Sequence, residues 1–283
     1  MPLRFEKWQA LGNDYLIVEE DELPFALTPA RVRRLCGAHF GCHSDGVLVL
    51  ARAGGNGAVA RLRVFNPDGS EAEISGNGAR QAILYVHREG WTDRRTFAIE
   101  TAAGRVTPTI VDERTCTVEM GSARLQSSDF PSGPPDGRGT IVVEGREFAF
   151  QHVNIGNPQC VIEAGDDLDR LDLGALGPPI EGSGLFPNRT NVAFIAIEGH
   201  ERVRARIFER GVGETLSSGT GACASAVTAV LRGCSSPLTV VLDGGELEVA
   251  VGPNLEVSLT GWAEPVFRGE FSDELLSALA RAE

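Results

Sequence analysis

The chain has 283 residues, 42% hydrophobic and 23% charged, with a formal net charge of −13. Such a chain is an ordinary globular protein of one large or two medium domains, and the acidic balance, with no Lys/Arg cluster longer than a residue or two, argues against a nucleic-acid partner. No apolar run approaches the roughly 18 to 20 residues of a membrane span, and "MPLRFEKWQALGND" lacks the build of a signal peptide, so no membrane association and a cytoplasmic location are expected.

Short runs rich in Val, Ile and Phe follow one another with turn residues between them: "YLIVEE", "GVLVLAR", "RLRVFN", "FAIETAAG", "CTVEMG", then "IVVEGREFAF", "CVIEA", "VAFIAIE", "RVRARIFE", "LTVVLDGGELEVAVG" and "LEVSLTG". These predict strands, with a Gly-Gly hairpin turn in "LDGGELEVAVG". Helical spacing is confined to Pro29 to His39, the segments after Gly76 and Gly219, Asp169 to Leu176, and Asp273 to Ala282. The stretch "LQSSDFPSGPPDGRG" is dense in Pro, Gly and Ser. It suggests an N-terminal lobe over 1–125, a linker at about 126–139 and a C-terminal lobe over 140–283, and leaves open a return of the last C-terminal strands to the first lobe.

Six cysteines (Cys36, Cys42, Cys116, Cys160, Cys223, Cys234) are scattered without a C-x-x-C pair. They predict reduced, mostly buried thiols, not a zinc knuckle or a disulfide framework. His39 and His43 stand four apart around Cys42 in "HFGCHSDG", but no third ligand pattern accompanies them, so no metal is expected.

One segment occurs twice. "RLRVFNPDGSEAEISGNGA" from Arg61 aligns without gaps on "RARIFERGVGETLSSGTGA" from Arg204, an offset of 143 (75 to 218). "LGNDYLIVEE" from Leu11 and "IGNPQCVIEA" from Ile155 align at 144 (11 to 155). Two copies at so long a period indicate a duplicated domain and not a repeat array. Each copy runs from a strand through a polar turn into Ser-Gly-x-Gly-Ala and an apolar helix. Unpaired backbone N–H groups at a helix start, with glycines allowing close approach, make an anion site. Ser75 and Ser218 stand at or beside the N-caps, a place serine also takes for capping alone.

Together, "LGNDY", "FNPDGSEAEISGNGAR", "IGNPQCV", "RTNVAFI" and "ERGVGETLSSGTGACA" resemble the diaminopimelate epimerase family of pyridoxal-independent amino-acid epimerases and racemases, over essentially the whole chain. The resemblance implies an α+β fold of two pseudo-symmetric lobes, each a mostly antiparallel sheet wrapped around a central helix, here those following Gly76 and Gly219. It also implies proton transfer at Cα of a small α-amino acid with no cofactor, in a homodimer. The substrate α-carboxylate would sit on the backbone of Gly76, Asn77, Gly219 and Thr220. Asn13, Asn66, Asn157, Asn191 and Arg210 match positions that hold the other polar groups of the substrate, and each Asn is equally suited to a turn or cap.

In the family, the positions of Ser75 and Ser218 carry cysteines, one thiolate removing the α-proton while the opposite thiol delivers another. His commonly stands where Gln159 is. With serines in place, Glu209, next to Arg210, is the remaining acid/base group, and Asp14, Asp45 and Asp68 are further carboxylates whose default role is turn capping. Three readings follow: an epimerase with Ser75, Ser218 and Glu209 at its centre; an isomerase or lyase using the Glu209 carboxylate on one face; and a catalytically silent amino-acid-binding homologue. Cys223, a turn into the second helix, is read as a packed small residue.

Overall fold

The computed structural model describes residues 3–55 and 57–282. The chain divides into two compact units, Met1–Val118 with Trp262–Glu283, and Glu119–Gly261. The first contains β1 (Arg4–Ala10), β2 (Asn13–Glu19), α1 (Pro29–Cys36), β3 (Val47–Arg52), β4 (Ala58–Phe65), β5 (Glu71–Ala72), α2 (Gly76–Arg88), β6 (Ala98–Thr101), β7 (Gly104–Val106) and β8 (Pro108–Ile110). The boundary falls within β9 (Thr115–Ser122). The second contains β10 (Arg138–Val143), β11 (Arg146–Asn154), β12 (Pro158–Glu163), α3 (Leu173–Glu181), β13 (Asn191–Ile197), β14 (Arg202–Glu209), β15 (Gly213–Thr215), α4 (Gly219–Leu231), β16 (Leu238–Leu242), β17 (Gly245–Val251) and β18 (Glu256–Trp262). Then β19 (Glu264–Glu270) and α5 (Asp273–Arg281) complete the first unit.

The duplication seen in the sequence reappears as duplicated topology. The first unit's sheet runs β19-β1-β2-β3-β4-β6-β7, and the second contains the run β10-β11-β12-β13-β14-β16-β17. The returning strand β19 thus holds in the first sheet the place that β10 holds in the second. Parallel pairs also correspond: β2 with β3 and β4 with β6, then β12 with β13 and β14 with β16. Register repeats to the residue, because β5 sets Glu71 opposite Phe65 while β15 sets Glu214 opposite Phe208. Each glutamate is gripped by an arginine two residues before that Phe, Arg63 at 2.8 Å and Arg206 at 2.6 Å.

Central strands read as unbroken apolar runs because both of their faces are covered. In β2 and β3 the residues Leu16, Val18, Val47 and Val49 join a core with α1 and α5, through Val32, Leu35 and Leu279. The alternate face meets α2, where a Cβ on Gly78 would come 3.0 Å from Leu48. In the second unit Cys160, Ile162, Val192 and Phe194 join a core with Leu173 and Ile180 of α3. Helix α4 packs on β11 to β14, β16 and β17. From Gly219 to Ala229 it exposes only part of Thr220, as a helix enclosed by a sheet must. Each sheet therefore wraps its own central helix, the arrangement expected from the motifs.

Three local expectations change. The helix sought at Asp169 to Leu176 begins later and runs on through Pro178 and Pro179 to Glu181, after a 3-10 turn over Gly165–Arg170. Asp172 caps it, its side chain accepting the Ala175 N–H and its carbonyl the Leu176 N–H, while Pro178 and Pro179 offer no N–H to the carbonyls four residues back. The β16–β17 turn is Asp243-Gly244, because Leu242 pairs with Gly245 and Gly245 opens the next strand at φ 140°. The Pro/Gly-rich stretch lies inside the second unit as a series of turns, anchored by the buried Phe130.

Candidate functional site

In the first unit, Ser75 caps α2: its Oγ accepts the Gly78 N–H at 3.1 Å and its carbonyl accepts the Ala79 N–H. The same Oγ accepts a second hydrogen bond, at 3.2 Å, from the phenol of Tyr15 on β2. Tyr15 is buried, its ring against Gly46, where a Cβ would come within 2.6 Å of it. Gly76 and Asn77 head the helix. Asn77 Oδ1 accepts from Arg80 Nη2 at 2.6 Å, and Arg80 Nη1 donates to the Gly76 carbonyl, so a fully buried guanidinium holds the first turn from within.

Asn13 lies nearby in the chain order but turns its amide to Asp45 at 2.8 Å, while Gln81 of α2 donates to its carbonyl. Asp45 also accepts the Asp14 N–H, and Lys7 pairs with Asp14 at 3.0 Å. Asn66 belongs to the "NPDGS" turn, its amide on Ser70 Oγ at 3.0 Å. Asp68 is spent in the same turn, accepting both the N–H and the hydroxyl of Ser70, which hold its carboxyl below the usual range.

In the second unit, Ser218 is buried and caps α4, accepting the Gly221 N–H at 3.3 Å. The Glu209 carboxylate accepts from Thr215 Oγ1 at 2.9 Å, and the Ser218 hydroxyl is close enough to act on it as well. Burial raises the Glu209 carboxyl above its ordinary value, against the opposing pull of those two hydroxyls. Gly219 and Thr220 head the helix. Asn157 and Gln159 converge on Thr220 Oγ1, at 3.2 and 3.1 Å, and Gln159 donates to Asn157 Oδ1 at 2.7 Å. The Gln159 side-chain amide oxygen, Oε1, is buried with no hydrogen-bond partner among the described residues.

Asn191 occupies both ends of its amide within the protein: Nδ2 donates to the Pro158 carbonyl and Oδ1 accepts the Arg210 N–H at 2.9 Å. The Arg210 guanidinium is otherwise exposed and donates to the Asn188 carbonyl. The next residue, Gly211, gives its N–H to the buried Glu181, which also pairs with Arg189.

The expected residues thus fall into small groups. Asn157, Gln159 and Thr220 form one; Glu209 and Ser218 form another; Asn191 and Arg210 form a third. Ser75 meets none of the expected residues by side chain and meets Tyr15 instead. Sequence reading passed over Tyr15, Arg80, Thr215 and Glu181. The first could have been found by pairing the two copies, since the offset of 144 sets Tyr15 against Gln159. Free thiols supply no substitute for the serines: burial pushes Cys36 and Cys116 up to about 12, raises Cys42, Cys160 and Cys234 as well, and Cys223 is fully buried in α4.

Residues 5–126 and 151–265 match the family model described as diaminopimelate epimerase. The chain is 40% identical over 274 residues to a diaminopimelate epimerase of Aromatoleum aromaticum, covering 95% of this chain and 99% of that one. It is 39% identical over 280 residues to diaminopimelate epimerase 2 of a Nostoc species, at 97% and 98% coverage. Among solved structures, a hydroxyproline epimerase from Agrobacterium vitis with bound trans-4-hydroxy-L-proline superposes with a TM-score of 0.68 at 16% identity, over 95% of this chain and 90% of that one. A methylitaconate-delta-isomerase superposes with a TM-score of 0.66 at 12% identity, over 98% and 97%. At such identities these structures establish the fold alone.

Proposed function

Because the chain belongs to the diaminopimelate epimerase family, we propose that it is a cofactor-independent isomerase that moves the proton at Cα of diaminopimelate or a closely similar amino acid. The observation that carries this reading is the pair of glycine-flanked, serine-capped helix starts, one in each unit, with the half-buried Glu209 carboxylate near the second. A serine alone is too weak a base. Its alcohol titrates near water's value of roughly 15.7 against about 8.5 for a thiol, a gap worth roughly 10 kcal/mol. A helix N-terminus supplies at most about 2 kcal/mol. In this reading the Glu209 carboxylate, whose pKa burial raises, is the adjacent base that takes the Ser218 proton as Ser218 takes the one from Cα.

The helix heads at Gly76, Asn77, Gly219 and Thr220 bind the substrate α-carboxylate in this reading, as helix N-termini bind anions. Asn13, Asn66, Asn157, Gln159 and Arg210 hold its other polar groups. Asn191 acts through Arg210, whose backbone it fixes. Inversion needs a group on each face of the carbon, and the chain carries one capping serine per unit. With the reading go pseudo-symmetric lobes, a role in lysine biosynthesis, a cytoplasmic location and a homodimer.

The test is NMR in D₂O of LL- and meso-diaminopimelate with the unmodified protein. Deuterium at Cα with interconversion of the two forms supports an epimerase. Exchange with retained configuration would instead place a base on one face only, and tight binding without exchange would leave an amino-acid-binding protein.

A further inference from the structure

We propose that Asp129, a carboxylate from the Pro/Gly-rich stretch, is a positioning residue that holds the Asn157 loop and the Arg210 guanidinium in fixed register, so that the second unit presents both to the substrate as one frame. What the frame holds rests on the isomerase reading; its geometry does not.

Asp129 stands where two arms of hydrogen bonds meet. Its Oδ2 accepts from Asn154 Nδ2 at 2.8 Å, and its Oδ1 accepts from Asn188 Nδ2 at 3.1 Å. Along the first arm, Asn154 Oδ1 receives the N–H of Gly156, the residue before Asn157, at 3.2 Å. Along the second, the Asn188 carbonyl receives Arg210 Nη1 at 2.8 Å. Asn191 joins the far ends: its Oδ1 accepts the Arg210 N–H, and its Nδ2 donates to the carbonyl of Pro158, the residue after Asn157. The hydrogen bonds therefore close a ring through both candidate substrate-holding groups, and the whole ring lies within the second unit.

The chemistry of the ring calls for a carboxylate at 129. A carboxylate only accepts, so both amides that face it turn their NH₂ groups to it, and the Asn154 oxygen is left for the Gly156 N–H. A neutral amide at 129 offers one acceptor and one donor, and sets NH₂ against NH₂ on one of the two arms. Ionisation also strengthens both bonds. The surrounding stretch, turn-rich as it is, holds Asp129 in place. The Asp129 N–H donates to Ser127 Oγ at 3.2 Å, and Ser127 Oγ lies 2.9 Å from Nε2 of the buried His152. Next to Asp129, the buried Phe130 packs on Phe186, two residues before Asn188, with ring centroids 5.6 Å apart. The first unit meets the same need with one contact: Asp45 accepts directly, at 2.8 Å, from Asn13, the counterpart of Asn157 at the offset of 144.

The experiment compares Asp129→Asn with the double variant Asp129→Asn/Asn188→Asp, in which carboxylate and amide change places and every donor in the ring again meets an acceptor. With LL-diaminopimelate, Asp129→Asn should raise KM roughly tenfold, about the worth of one hydrogen bond to a charged group, and leave kcat within about threefold, because no group at the reacting carbon is altered. The double variant should recover most of that loss. Hydrogen–deuterium exchange of the unliganded protein gives a readout that needs no turnover: Asp129→Asn should speed exchange about tenfold in 154–158 or 186–190 while leaving α4 unchanged, and the double variant should restore it. An unchanged KM, a fall in kcat alone, a swap that rescues nothing, or exchange that rises throughout the second unit would each overturn the proposal. If the unmodified protein neither binds nor turns over diaminopimelate, a local rise in exchange reversed by the swap retires that substrate and keeps the ring, and the absence of such a rise sinks both.

Discussion

Helices α2 and α4 are both 13 residues long, both begin Ser-Gly-x-Gly-Ala, and both are capped by a serine accepting the N–H three residues on. Beyond that first turn they part. Position 80 of α2 is a buried arginine, and its counterpart at the offset of 143 is the buried Cys223. Arg80 holds Asn77 from within the helix, whereas Thr220, the residue equivalent to Asn77, is held from outside by Asn157 and Gln159 of the loop and strand before it. A duplicated backbone thus preserves the geometry of a serine-capped helix start while leaving each copy to support that start by its own means. Backbone hydrogen-bonding needs are the same in both copies, and side-chain packing is not.

The comparison breaks first at Glu209. Glu209→Gln should lower turnover by about 10²- to 10⁴-fold, the usual worth of a general acid/base group, read as deuterium entry at Cα. Asn66→Ala, at the equivalent place in the first unit, should cost far less, and equal losses would mean the halves are alike after all. Next come the buried residues of the helices. Arg80→Ala should destabilise the protein by about 3 kcal/mol, through a cavity and the donors lost to Asn77 and Gly76, against about 1 kcal/mol for Cys223→Ala in denaturant melts.

Smaller and more equal effects belong to the caps. Ser75→Ala and Ser218→Ala should each cost about 1 kcal/mol, and Ser75→Gly only a few tenths, since glycine tolerates the cap position. The smallest effect is a pH dependence confined to the second unit. A carboxyl whose folded pKa is raised weakens the fold while ionised, and the penalty is relieved as pH falls through that raised value. Glu209→Gln should therefore melt above the unmodified protein at neutral pH, and the advantage should vanish below the ordinary carboxyl value of 4.5. A constant difference across the range would mean that the substitution acts through packing and not through charge.

Much of the architecture is legible in the sequence alone. Alternating and continuous apolar runs marked the strands, and the two Ser-Gly-x-Gly-Ala motifs marked the starts of α2 and α4. Misreadings came where local signals were ambiguous: prolines inside α3, and an Asp-Gly-Gly run in which the pairing of Leu242 with Gly245 chooses the turn. At the candidate site the residue types were legible but their partners were not. Asn13, Asn66 and Asn191 all satisfy neighbouring groups of the protein, the turn-and-cap behaviour that an isolated Asn in a loop equally suggests.

By itself the sequence determined the duplication, the class of fold, the family and the absence of thiols at the two capping positions, because these depend on residue identity and on spacing along the chain. Only the tertiary structure decided which neighbour each serine meets. Tyr15 lies 60 residues from Ser75 and Glu209 lies 9 from Ser218, and both contacts exist because strand pairing brings a particular side chain to a particular helix end. Spacing repeats between the copies; what a hydroxyl touches depends on which of two equivalent strand positions carries the reaching side chain, and that is settled by packing.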